Sequence, residues 1–158
     1  MADQKPPPLE TDERETARAL LQYQRESLVR KVADVDEDAA RFPLVASGTT
    51  LLWLVKHLAR AETTWIVERF AGEDIQLPDD AVHGSDTLAS AVDTYRQTWA
   101  RVDRIVSEAP TLDQRCRRVS SDVPVNLRWV LSHLLEETAR HAGHADILRE
   151  LIDGRTGR

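Results

Sequence analysis

The chain has one cysteine, Cys116, only three lysines, and no apolar stretch near the roughly 18 residues that a membrane-spanning helix needs. A single thiol excludes an intrachain disulfide and suits a reducing compartment, so a cytoplasmic protein is expected. The N-terminal "MADQKPPPLE" has no apolar core for a secretory signal. Basic surplus is also missing: the net charge is -6, which argues against a nucleic-acid partner, and the "RCRR" run at 115–118 is too short to reverse that. Strand-like alternation and internal repeats are absent. The basic residues are 18 arginines against three lysines, a bias typical of GC-rich coding.

What is present is an ordinary globular composition, 41% hydrophobic and 30% charged, in 158 residues, enough for one domain with its own core. Four helical segments separated by turn signals predict an all-α four-helix bundle. Residues 1–10 are expected to form a flexible tail, 11–154 the domain, and 155–158 a C-terminal tail. Helix one spans about 11–33 behind a Thr11 or Asp12 cap, and helix two about 50–71, between a Thr49 or Thr50 cap and Gly72. Helix three follows a cap at Ser85 or Asp86 and ends before Pro110. Helix four runs from a cap at Asn126 to Gly154. The connection between helices three and four, about 17 residues, is long enough for a crossover.

Helix four contains "HLLEETARHAGHADILRE", residues 133–150. On a helical wheel with His133 at zero, Leu127, Val130, Leu134, Leu148, Leu151 and Ile152 fall between roughly 0° and 120°, and the charged residues opposite. Glu137 and His141 fall in the middle of the apolar arc at roughly 40° and 80°, with His133 and His144 nearer its edge. A carboxylate placed there needs a cation, a hydrogen-bond network or a metal. The i, i+4 spacing sets Glu137 beside His141, as two ligands from one helix turn require, and His57 borders the apolar face of helix two. Two histidines and a carboxylate with an open position make up the ligand count of a catalytic zinc or iron(II) site. Equally, an inward Glu–His pair can simply be hydrogen-bonded, and His57 can be a rim histidine. His83 lies in a loop without such geometry. Trp53, Trp65, Trp99 and Trp129 read as core and pocket lining, Glu62 as half of an ion pair with an arginine of another helix, and Cys116 as a bystander.

The segments "TTLLWLVKHLARAE" and "HLLEETARHAGHADILRE", with the helix order, resemble the DinB-like superfamily of metalloenzymes, in the branch related to mycothiol-dependent maleylpyruvate isomerase. DinB-like proteins carry a histidine on the second helix and an HxxxH pair on the last. Here Glu137 stands where the first of that pair would be, and the isomerase branch likewise uses His, Glu and His. The resemblance implies a DinB-like bundle, a homodimer, and His57, Glu137 and His141 as ligands of a divalent metal, zinc first and nickel or iron next. It also implies mycothiol as a thiol cosubstrate. After Gly154 there is no room for the isomerase's C-terminal extension, so isomerisation of maleylpyruvate itself is not expected.

The expected function is therefore metal-dependent activation of a low-molecular-weight thiol for transfer or isomerisation on a small-molecule substrate, with His144 and His133 orienting a ligand or moving a proton. A metal-dependent hydrolase on the same site and a non-catalytic dimeric bundle are the alternatives.

Overall fold

Each helix begins where a side chain can accept from its free N–H groups. In the computed structural model, which describes residues 4–119 and 123–156, these starts give α1 (Glu13–Val32), α2 (Glu37–Arg41), α3 (Leu51–Glu62), α4 (Leu88–Glu108) and α5 (Leu127–Asp153). Asp12, Asp36, Thr50 and Asn126 accept from the first turns of α1, α2, α3 and α5. Thr87 forms a capping box with Ser90 at α4, one or two residues later than expected. Asp86 is instead engaged by the backbone N–H of His83 and by Lys56. The one-turn α2 was not anticipated; Asp36 caps it, and the Glu37 carboxylate in turn accepts from the N–H of Leu88 at 3.0 Å, tying α2 to the start of α4.

Helix two was expected to run unbroken to residue 71, but α3 gives way at Thr63 to a π-helical segment, Thr63–Phe70. The Thr63 hydroxyl donates to the Ala59 carbonyl at 2.7 Å, and the wide turns end with the Ala71 N–H on the Ile66 carbonyl. Gly72 closes the segment at φ +71, where a Cβ would lie 2.9 Å from that of Arg117.

The all-α bundle is as expected, and among the described residues there is no strand, only an isolated bridge between Arg115 and Asn126. Glu13–Arg128 and Lys31–Asp146 pair α1 with α5 in parallel, whereas Glu62–Tyr95 and, just past the π-helical segment, Glu73–Arg101 show α3 and α4 to be parallel too. Because α3 and α4 are parallel, the crossover is residues 71–87. It returns along α3 through contacts of Pro78 with Arg60, Asp80 with His57 and Ala81 with Lys56. The connection before α5, where a crossover had been allowed for, joins neighbouring helix ends: Arg128 and Leu127 donate to Leu112 and Gln114.

Two apolar clusters fill the bundle, one around Leu28, Leu54, Leu58, Tyr95 and Leu148, the other around Leu21, Ile66, Phe70, Val102 and Leu134. Between them on α1 and α3 sits a buried polar layer that side chains of α4 complete. Arg25 donates through Nε to Glu62 at 2.9 Å and through Nη1 to Asp103 at 2.9 Å, and Tyr95 donates to Glu62 at 3.0 Å. Glu62 is wholly buried and Arg25 nearly so, so each satisfies a charge that would be very costly alone. Although burial favours loss of its proton, the guanidinium of Arg25 is held more firmly protonated by Glu62. Buried Arg149 reaches across to donate to the carbonyls of Lys31 and Ala33, closing the C-terminus of α1.

The buried face of α5 is rotated from the expected one. Thr138, Ala142 and Ala145, small residues that permit close approach of α1, are buried along with Leu131, while Leu151 is exposed. The buried arc thus runs from roughly 60° to 180° on the same wheel. Glu137 lies at its edge, not its middle.

Candidate metal centre

That rotation leaves His133, Glu137, His141 and His144 along a groove between α5 and α3. His57 projects from α3 into the same groove, one turn after Trp53, whose indole stacks on the His57 ring at 4.6 Å between centroids and 17° between planes. The Nε2 atoms of His57 and His141 approach the same oxygen of Glu137, at 3.3 and 3.1 Å. One donor atom from each of the three residues lies within 4.8 Å of the others. Ligand atoms about 2.0–2.1 Å from a tetrahedral ion are separated by about 3.3 Å, so the two nitrogen–oxygen spacings fit a shared cation.

Proton accounting points the same way. His57 turns Nδ1 to Asp80 at 3.3 Å and Nε2 to Glu137 at 3.3 Å, so both ring nitrogens face carboxylates. A neutral imidazole has one N–H; with that proton on Nδ1 toward Asp80, Nε2 presents a lone pair to a carboxylate lone pair, which a cation between them would reconcile. The ring of His141 differs in facing one carboxylate: Nε2 turns to Glu137, and Nδ1 lies 3.4 Å from Nδ1 of His144, a contact satisfied by a proton on one of the two. Burial is the largest influence on His141 and pushes its pKa down, favouring the neutral form that ligates metal. Burial also pushes the Glu137 carboxyl up, but hydrogen bonds and charge from His57 and His141 outweigh it, leaving Glu137 below the usual range and ionised. The second oxygen of Glu137 accepts from Arg140 at 3.2 Å.

The structure thus brings His57, Glu137 and His141 together and sets His144 against His141. His133 does not touch them. It stacks on Trp129 at 5.0 Å, meets Trp65 edge-on at 4.9 Å, and lies one turn toward the N-terminus of α5 from Glu137. His83 faces solvent beside Asp79 at 2.6 Å. The group that sequence reasoning missed is Asp80. "PDD" in the long connection was its only trace, and nothing there says which carboxylate reaches His57.

The groove is open on either side of the triad. Beyond His144 lies a cavity of about 220 Å³ with Val45, Ser47, Thr49 and Leu148 in its walls. Beyond His133 lies another of about 260 Å³, walled by Trp65, Arg69, Arg118 and Trp129. A cavity of about 300 Å³ between α3 and α4 is lined by Lys56, Asp79 and His83, and the triad is not part of its lining.

The family model described as mycothiol-S-transferase matches residues 16–154. The crystal structure of the conserved protein of locus from Enterococcus faecalis superposes with a TM-score of 0.69 at 18% identity, covering 92% of this chain and 100% of that one, a likeness of fold. No curated protein matches the chain. The mycothiol-related affiliation expected from the helix motifs is borne out by the family match, and the expected all-α bundle by the likeness of fold.

Proposed function

Since the chain belongs to the mycothiol-S-transferase family, we propose that it transfers mycothiol sulfur to a small electrophile at a divalent metal held by His57, Glu137 and His141. The observation that carries this reading is the convergence of two imidazole nitrogens on one carboxylate oxygen, with Asp80 3.3 Å from the other ring nitrogen of His57. Nitrogen-rich ligation with a single carboxylate favours zinc, with nickel or iron(II) as the next candidates. When bound, such an ion stabilises a thiolate over its thiol and so supplies a nucleophile at neutral pH.

The protein's own groups do the rest. Asp80 holds the His57 tautomer with Nε2 free, and His144 holds His141 through its Nδ1 side. Glu137, kept ionised, offsets the positive charge and is itself steadied by Arg140. His133, which burial keeps neutral, stands between the triad and the tryptophans, where it can accept the thiol proton and pass it to solvent. In the reaction the sulfur lone pair forms a C–S bond while the leaving group departs with the electrons of the bond it loses. Isomerisation follows the same course if the thiol adds and is later expelled.

Homodimerisation is part of the proposal, supported by Ile147 and Leu151, two large apolar side chains left exposed on α5. Cytoplasmic placement is proposed from the single reduced thiol; no described helix is long and apolar enough to cross a membrane. Zinc-loaded protein, incubated with mycothiol and monochlorobimane, should form the mycothiol–bimane conjugate with release of chloride faster than zinc-free protein does. Equal rates with and without metal, or equal use of glutathione and mycothiol, would overturn the reading; ester hydrolysis by the same zinc-loaded sample without thiol would replace it with hydrolase chemistry.

A further inference from the structure

We propose, resting on the transfer reading above, that the cavity formed by Trp65, Arg69, Arg118 and Trp129 binds the second substrate, and that this substrate is a small, flat electrophile bearing a carboxylate. The groove is a ladder of two antiparallel stripes. Trp53, His57, Trp65 and Arg69 descend one side while His141, Glu137, His133 and Trp129 descend the other. The rungs are visible in the ring contacts: Trp53 with His141 at 6.0 Å, His57 with His141 at 4.9 Å, Trp65 with His133 at 4.9 Å and Trp65 with Trp129 at 5.2 Å. Trp129 and Glu137 are two helix turns apart, roughly 12 Å, a span one small molecule covers.

The far end of the ladder is cationic although the chain is acidic overall. The Arg69 guanidinium lies over the Trp65 ring, 4.2 Å from its centroid, and no carboxylate pairs with it among the described residues. Among the described residues Arg118 has only Asp74, at 3.8 Å and almost fully exposed. Elsewhere Arg25, Arg101, Arg128 and Arg149 are each neutralised by a close carboxylate. These positions are built, not incidental. The N–H groups of Arg117 and Arg118 donate to the carbonyls of Phe70 and Arg69 at 3.3 and 2.9 Å, seating the "RCRR" segment on the free end of the π-helix, and Gly72 leaves room for Arg117.

The ligand follows from this chemistry. Two guanidinium groups offer paired N–H donors to a carboxylate, and the tryptophans offer flat apolar walls. Trp129 and Val119 are large apolar side chains left exposed at this cavity. At about 260 Å³ the cavity is at the small end for ligand sites, which leaves the bulky thiol to the rest of the groove. Cys116 in the wall is not a competing nucleophile, because burial pushes its thiol up.

Calorimetric titration of the full-length protein with cinnamate and with cinnamamide tests the assignment. Cinnamate should bind about tenfold tighter or more than cinnamamide. That preference should vanish in the Arg69→Gln, Arg118→Gln double variant, weaken severalfold in Arg118→Gln alone, where an exposed side chain is changed without risk to the fold, and survive in the metal-site variant His57→Ala. Equal binding of the two probes, an unaffected double variant, or loss of the preference in His57→Ala would each overturn the proposal, the last by placing the anion at the triad. Zinc content and bimane conjugation measured on the same samples separate the two readings: the cinnamate preference stands or falls without metal.

Discussion

Asp80 Oδ2 lies 3.3 Å from Nδ1 of His57, although the two residues are 23 apart and Asp80 belongs to no helix. The crossover between α3 and α4 therefore completes a site whose three converging donors all come from helices. Replacing Asp80 by Asn or Ala should weaken zinc binding about 10–100-fold while leaving one site per chain. Competition with a chromogenic chelator measures it, with Asp79→Asn, on the solvent side beside His83, as the unaffected control.

His57→Ala, Glu137→Gln and His141→Ala should each abolish stoichiometric zinc, whereas His83→Ala should not. Metal analysis after dialysis decides. In the wild type, free zinc at about 100 times its Kd should add about 2.7 kcal/mol to stability, read as a higher Tm, and the three variants should show no such rise.

Breaking the buried pair from one side is expected to cost about 3–5 kcal/mol. Glu62→Gln or Arg25→Met should therefore lower the urea midpoint sharply. Joint replacement by apolar residues of similar size should recover much of the loss. Tyr95→Phe, which removes one hydrogen bond to a charged group, should cost about 1.5–3 kcal/mol. If the double replacement is no better than the worse single one, the charges are not compensating each other.

Metal-free protein should lose stability on acidification through the histidine range. His141 and His133 are both held below the ordinary value of 6.5, chiefly by burial. Below that value the unfolded chain binds protons that the folded chain still refuses, so the contribution is complete above pH 6.5 and fades as pH falls through the lowered folded values. Chemical denaturation between pH 5 and 8 checks the sign; His141→Ala should flatten the curve, and a stability that rises on acidification would contradict it.

Much of this molecule was legible in the sequence because its signals are local. Asp12, Thr50, Asn126 and Gly154 are capping residues whose chemistry does not depend on distant partners, and Glu137 and His141 are neighbours by helix spacing alone. Glu62 was expected to find an arginine, and Arg25 is that arginine. What escaped depends on packing. The wheel of large apolar residues misplaced the buried face of α5, because Thr138, Ala142 and Ala145 are buried for their smallness. Asp80, and Arg149 capping α1 from α5, are placed only by the course of the chain in three dimensions.

The π-helical stretch Thr63–Phe70 follows the turn of His57 on one continuous rod and carries Arg69 near its far end. A helix that changes pitch partway acts as a phase shifter: it sets the angle at which its two ends look out. Each residue of α-helix advances that angle by about 100°, so deleting one residue within 63–68 would turn His57 and Arg69 away from each other. Metal binding and anion recognition, each intact, would then no longer address the same molecule.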